Sequence, residues 1–474
     1  MMRQAHKRSQ LRTRAVVAAA ALLLGGGGTA IIAANASAGG AHGTAEHDTG
    51  QSPHGATAGS ATGETTTVSC PDVGERLREV PAPARTEVSR GLSQLDAQVA
   101  TAYEQMTSKG ATPDAVLGEL KRKRDETIGR ITDSIKAADS AAVPAPEDLS
   151  ALSGCRTRQI STTAADDSSR PLSSRLGEQG KPGGPSRADF ADIRTAPTRP
   201  GAPTARRGGS TGTFASVCGR NENGHFNPDN VIVTPGVRNG AHHMHDYVGN
   251  KSTDAFSTDN SLAAAGTTCT NGDKSSHYWP VLRKLDGKAA PDANAPGGGH
   301  DGNMGTVLRP ASVTLQFRGN PVTKVTAMPR FLRVITGDAK ALTNGLANAN
   351  ASWSCAGFEN RQLKDKYPIC PNGAQVVRTF TFQNCWDGRN TDSANHRTHV
   401  AFARADGSCP RGFKAIPQLV QRITYDVPAG VPFAVDSFPE QLHKPVTDHG
   451  DFINVMSDAL MARATACING GRTC

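Results

Sequence analysis

Aromatic residues are scarce in this chain, 5% of 474 positions with only three tryptophans, which excludes a single aromatic-rich core running its whole length. None of the ten cysteines lies in a Cys-x-x-Cys pair. That spacing is what normally brings two thiolates onto one ion, so a metal-thiolate site is excluded as their main use. Past the first 40 residues no apolar run is long enough to span a bilayer. The basic surplus is also smaller than it looks. Arg3, Lys7, Arg8, Arg12 and Arg14 supply five charges of the formal +9 before any acidic residue occurs, which leaves +4 for the rest. So small a charge on so long a chain excludes nucleic acid as the expected partner.

What is present begins with those five cations, followed by the apolar run Ala15 to Leu24, four glycines and Ala36-Ser37-Ala38. This order predicts a signal peptide over 1–38 and export to the cell exterior or wall, with no stable membrane span after cleavage. Ten cysteines, all beyond the leader, then predict disulfides whose connectivity spacing alone leaves open. Gly 50 and Pro 29 indicate long connectors. Two are read directly: a disordered Gly/Ala/Ser/Thr tail over 39–69 and a disordered Ser/Pro/Arg/Gly linker over 157–212. The linker holds Gly208-Gly209-Ser210-Thr211-Gly212, a formal nucleophile-elbow match without the strand and helix that such an elbow needs.

Between the connectors, Val88, Leu92, Leu95, Val99 and Met106 recur at helical spacing, as do Leu117, Leu120, Ile128, Ile131 and Ile135. Thr112-Pro113 restarts the second helix. The prediction for 70–156 is an antiparallel helical hairpin closed by a bridge between Cys70 and Cys155, because two helices alone bury too little surface to be stable. The remaining 213–474 holds eight cysteines, all the tryptophans and ten of the fourteen histidines. Its β-branched runs, such as Ser312 to Phe317, Val376 to Phe382 and Leu419 to Val427, are separated by Gly, Pro and Asn. Only Asp451 to Cys467 has helical spacing. The expected fold class is mainly β: a disulfide-stapled antiparallel sandwich or jelly-roll-like domain with one C-terminal helix.

The order of short motifs in this domain is distinctive. His242-His243-Met244-His245-Asp246 is followed by Thr267-Thr268-Cys269, Tyr278-Trp279-Pro280, Cys385-Trp386-Asp387-Gly388, His396-Arg397-Thr398-His399, Cys409-Pro410 and His449-Gly450-Asp451-Phe452-Ile453-Asn454. Together they resemble the secreted microbial family catalogued as domain of unknown function nineteen ninety-six. The resemblance implies secretion and a domain identity, but supplies no reaction. Family members usually carry Gly-Trp after the final motif, where this chain has Val455-Met456.

Read as chemistry, an extended His243-x-His245 puts two imidazoles on one face, half a site for a divalent transition metal such as zinc or copper. His396 and His399, three residues apart, are the expected second pair of ligands, with His449 a further one. Asp246, Asp387 and Asp451 are the expected orienting groups or general bases, and His243, His245, His399 and His449 the expected catalytic imidazoles. Such a site suits hydrolysis or elimination on an extracellular polysaccharide or cell-wall polymer. The rival use of the domain is a non-catalytic envelope module. Trp279, Trp353 and Trp386 serve either as sugar-stacking platforms or as core.

Overall fold

The structure, a computed structural model, describes residues 64–107, 111–138, 148–161, 184–199, 201, 203–288 and 290–474. The expected leader lies outside them, as do most of the tail and residues 162–183 of the expected linker. All ten cysteines pair, as Cys70–Cys155, Cys218–Cys269, Cys355–Cys370, Cys385–Cys409 and Cys467–Cys474. Among the described residues no helix is long and apolar enough to cross a membrane.

The fold is mainly β, as the β-branched runs predict. Two five-stranded antiparallel sheets share one core. The first, which carries the candidate site, runs in the order Arg333–Gly337, His449–Ile453, Ser276–Pro280, His245–Gly249, Phe226–Asn227. The second, behind it, runs Trp353–Cys355, Val376–Thr381, Gln418–Tyr425, Ser312–Arg318, Thr213–Ser216. Alternation along each strand sends one set of side chains inward. Val248, Trp279, Val334 and Phe452 of the site sheet meet Leu315, Phe317, Phe380, Leu419 and Ile423 of the rear sheet. The C-terminal helix Asp458–Asn469 is capped by Ser457, whose side chain accepts from Leu460 N, and adds Leu460, Met461 and Ile468 to the same core.

Two tryptophans are structural. Trp279 donates Nε1–H to Tyr425 Oη (3.2 Å), Trp353 to the Pro445 carbonyl (2.9 Å), and both are fully buried. Polar groups cross the core where they satisfy each other: Gln421 Nε2 donates to His277 Nδ1 (3.1 Å). Arg378, fully buried, leaves the rear sheet to pair with Asp448, the residue before the site strand His449–Ile453. It also donates to the Pro280 carbonyl (2.9 Å) and Tyr425 Oη (3.1 Å).

Helices α1 (Arg85–Thr107) and α2 (Pro113–Ala137) form the expected pair, with Val88, Leu95, Ile128, Ile131 and Ile135 buried between them. Gly91 permits the close approach, since a Cβ there would stand 2.5 Å from Ile131. Two segments differ from the connector reading. Glu64–Ser69, inside the expected tail, is a strand paired with Arg156–Ser161, because the Cys70–Cys155 bridge aligns a Thr/Val run with the chain leaving the hairpin. Residues 184–199, inside the expected linker, are ordered. Phe190–Asp192 pairs with Tyr367–Ile369, and buried Asp189 holds the Lys444 ammonium at 2.7 Å. Such contacts are non-local, so composition does not show them. Ser210 of the formal elbow is buried as well, donating to the Thr323 carbonyl at 3.0 Å and accepting from Asn320 N at 2.9 Å.

The described residues from 64 to 474 form one compact unit, and the helical pair rests on the sheet domain. Lys340 reaches Asp96 at 2.7 Å and Asp72 at 3.3 Å, Arg397 reaches Glu75 at 3.0 Å, and Thr67 donates to the Glu440 carbonyl. Burial pushes the Asp72 carboxyl up, but Lys340 and hydrogen bonds from Glu75, Lys340 and Asn344 more than offset it, leaving it at about 2 against an ordinary 3.8. A depressed carboxylate pKa gives stability that is complete above pH 3.8 and lost as pH falls toward 2, here about 2 kcal/mol. Unfolding measured at pH 5 and pH 2 should show that loss, and Asp72→Asn should reduce the difference by about that amount.

Candidate metal centre

The site is built on the outward face of the site sheet. His245, Tyr247, Tyr278, His449 and Asp451 share that face, because residues two apart on a strand point the same way and the register sets Tyr247 and Asp451 opposite Tyr278. Tyr247 and Tyr278 stack at 4.9 Å, and the Tyr278 ring meets His245 edge-on at 5.2 Å. This aromatic floor fixes His245.

His243 precedes the strand and is aimed by its neighbours. His242 takes a left-handed backbone (φ 51°) and bonds Asp301 through Nδ1 at 2.9 Å, so consecutive histidines diverge. Phe438 packs edge-on against His243 at 5.5 Å. His449 is placed by Asp448, held by Arg378, and by Gly337, its partner across the strand pair. Gly337 has φ 85°, and a Cβ on it would lie 2.8 Å from His449 Cα, so no other residue fits without displacing that strand.

The result is convergence of three imidazoles. His243 Nε2 is 3.2 Å from His245 Nε2 and 3.3 Å from His449 Nε2, and all three rings are buried. Nitrogens about 3.3 Å apart form one edge of a tetrahedron around an ion with Zn–N bonds of roughly 2.0–2.1 Å. The His449 tautomer is set: Nδ1–H donates to the Thr447 carbonyl (2.9 Å), leaving the Nε2 lone pair facing His243. Nδ1 of His243 and of His245 has no hydrogen-bond partner. Burial, then repulsion by neighbouring histidines, holds His243 and His245 well below the ordinary value, and burial holds His449 at about 4. Three buried imidazoles kept neutral, with their Nε2 atoms turned together, are the form a zinc or copper ion takes up.

The remaining expected site residues lie elsewhere. His399 bonds Ser393 Oγ through Nδ1 (2.9 Å) and the Arg333 carbonyl through Nε2 (2.7 Å), so both nitrogens are occupied. His396 bonds Asp392 at 2.9 Å and lines the same cavity as His243 and His449 without joining the trio. Three-residue spacing does not specify a turn, and this turn sends the two rings to different partners. Asp387 folds its own loop, accepting from Arg389 N, Asn390 N and Asn390 Nδ2. Asp246 points through the sheet into the core, accepting from Asn221 Nδ2 at 2.7 Å, with burial raising it to about 7. Asp451 shares the His449 face, and burial, only partly offset by Arg397 and Asn230, pushes its carboxyl up to about 8. Trp386 is half-buried, packs on the edge of the core and donates Nε1–H to the Asn390 carbonyl (2.6 Å).

A cavity of about 130 Å³ opens on His243 and His449, bounded by the sheet domain on one side and by the helical pair on the other. Glu440 lines it, a residue that no local motif marks. It is buried, its Oε2 has no partner, and burial raises it to about 7. A buried carboxyl raised toward neutrality is suited to exchanging a proton.

No curated protein and no solved structure matches the chain. Residues 230–455, which contain all three converging histidines and lie in the C-terminal region of the chain, match the model of the family described as Domain of unknown function (DUF1996), the domain identity that the motif order implies.

Proposed function

We propose that this is an exported protein whose C-terminal domain holds a divalent transition metal, zinc or copper, on His243, His245 and His449 and acts on extracellular polysaccharide. The observation that carries the reading is the convergence of three buried imidazoles, with His243 Nε2 at 3.2 and 3.3 Å from those of His245 and His449, beside a cavity that His243 and His449 line. Such a centre supplies Lewis-acid activation of water at neutral pH, which suits hydrolysis of a glycan. In the chain itself, His449 is oriented by Thr447, His245 is braced by Tyr278, and Glu440 is the proton-transfer group. Five disulfides and the absence of a long apolar helix among the described residues fit an extracellular setting.

The test is metal content. Oxidised full-length protein, equilibrated with zinc or copper and freed of excess, should retain one ion per chain. His243→Ala and His449→Ala should each retain less than about one tenth of that, while His399→Ala should leave it unchanged. A wild-type protein with no stoichiometric metal, or a His399→Ala loss equal to that of His243→Ala, refutes the site. Release of new reducing ends from wall and storage glycans by the loaded protein tests the reaction; retention of the polymer without cleavage would make the domain a binding module.

A further inference from the structure

The covering of the histidine site by the helical pair carries information about what the site binds. Asp72, Glu75, Leu92 and Asp96 line the same cavity as His243 and His449, so α1 and the segment before it wall the site while they are seated. The groups that seat them are specific. Lys340 stands 5.4 Å over the Phe438 ring, whose edge contacts His243, so this ammonium lies one aromatic ring from the candidate metal centre. Arg397 lines the same cavity and also donates to the Gly337 carbonyl, opposite His449. Both sheet-domain cations are met by hairpin carboxylates: Lys340 by Asp72 and Asp96, Arg397 by Glu75. Neutral Asn344 and Asn348 donate to Asp72 and Glu75 as well, at 3.2 and 3.1 Å. The face beside the histidines thus presents two cations and two amide donors, spread along one side of the cavity, and three carboxylates from the hairpin fill them.

We propose that the hairpin is an intramolecular stand-in for the natural ligand, and that the ligand is a carboxylate-bearing polysaccharide, a polyuronate, bound by Lys340 and Arg397 with its chain across the histidine site. The inference rests on the reading of His243, His245 and His449 as a polysaccharide site and adds its substrate class. A carboxylate repeated along a polymer satisfies separated cations at several points, as Asp72, Asp96 and Glu75 do here; a neutral glucan offers them nothing. Competition by the tethered hairpin lowers the apparent affinity by the fraction of molecules in which it has left. Ligand and hairpin then exclude each other.

The test compares full-length, oxidised proteins for retention by polygalacturonate and by a neutral glucan of similar length. Neutralising the stand-in, in the triple variant D72N/E75Q/D96N, should raise polygalacturonate affinity at least about tenfold with no change for the glucan. Removing the receptor cations, in K340A/R397A, loosens the same contact but should abolish polygalacturonate retention. K340R/R397K, which keeps both charges, should retain it, so that a folding defect is separated from loss of the anion site. Equal retention of wild type and D72N/E75Q/D96N, an equal gain for the neutral glucan, or a gain in K340A/R397A would overturn the proposal. Metal content measured on the same samples keeps the two readings apart: no metal in any of them refutes the metal centre, whereas bound metal without the polyuronate gain refutes only the substrate class.

Discussion

Replacing Arg378 with alanine should lower stability by about 3–5 kcal/mol, the range for removing one partner of a buried ion pair. The guanidinium and the Asp448 carboxylate are both fully buried. Arg378 also donates to Pro280 O and Tyr425 Oη and lies 5.2 Å over Trp353 and 5.3 Å over Phe380. Truncation leaves a charge with no water and no counter-ion, together with a cavity among three aromatic rings. Because Asp448 immediately precedes His449, the same change should release the third imidazole and reduce metal retention, which an Arg far from the trio would not be expected to control. Denaturant unfolding together with metal content measures both effects. If Arg378→Ala unfolds within about 1 kcal/mol of wild type, the pair is not the tie between the rear sheet and the site strand. Replacing both partners with apolar residues, as in Arg378→Met with Asp448→Leu, should recover much of the stability, since an apolar pair of similar volume leaves no unpaired charge.

Removal of the Cys70–Cys155 bridge by paired serine substitutions should cost about 4–5 kcal/mol in the chain-entropy account, because it closes a loop of 85 residues. The cost should fall on the helical pair. Its core is two helices thick, and its ends are held by the short ladder Glu64–Ser69 with Arg156–Ser161, which the disulfide aligns. Without the bridge, the pair should unfold before the sheet domain, whose own four disulfides remain. Amide exchange resolves the order: protection over α1 and α2 should drop while that of the two sheets stays. Uniform loss across both would show instead that the hairpin and the sheets unfold as one cooperative unit.

The trio was partly legible in advance. The i, i+2 spacing predicts that His243 and His245 meet, as they do, but not through strand alternation: His243 lies just before the strand His245–Gly249 and is turned toward His245 by the left-handed His242 and by Phe438. His449 joins them from a strand 206 residues away, with Ser276–Pro280 between the two strands in the sheet. That meeting depends on strand order. His396 and His399 show the opposite case: their tight spacing suggests a common site, yet Asp392, Ser393 and the Arg333 carbonyl take their nitrogens. Asp246 shows how one position along a strand reverses a role, because its side chain enters the core while His245 beside it faces the site.

By itself the sequence determined the properties that short-range chemistry dictates. These are a mainly β domain from β-branched runs, a helical pair from apolar spacing of three and four, disulfides from an even cysteine count without Cys-x-x-Cys, the Cys70–Cys155 bridge from its place at the two ends of that pair, and the nearness of His243 and His245 from their spacing. Only the tertiary structure decided how the eight cysteines beyond Cys155 pair, that Glu64–Ser69 and 184–199 are ordered, that His449 completes the cluster, and that the helical pair covers it through Lys340 and Arg397. The physical reason is the same in each case: these contacts join residues far apart in the chain, and their partners are selected by strand order, burial and the pairing of buried charges, none of which is written in any local window.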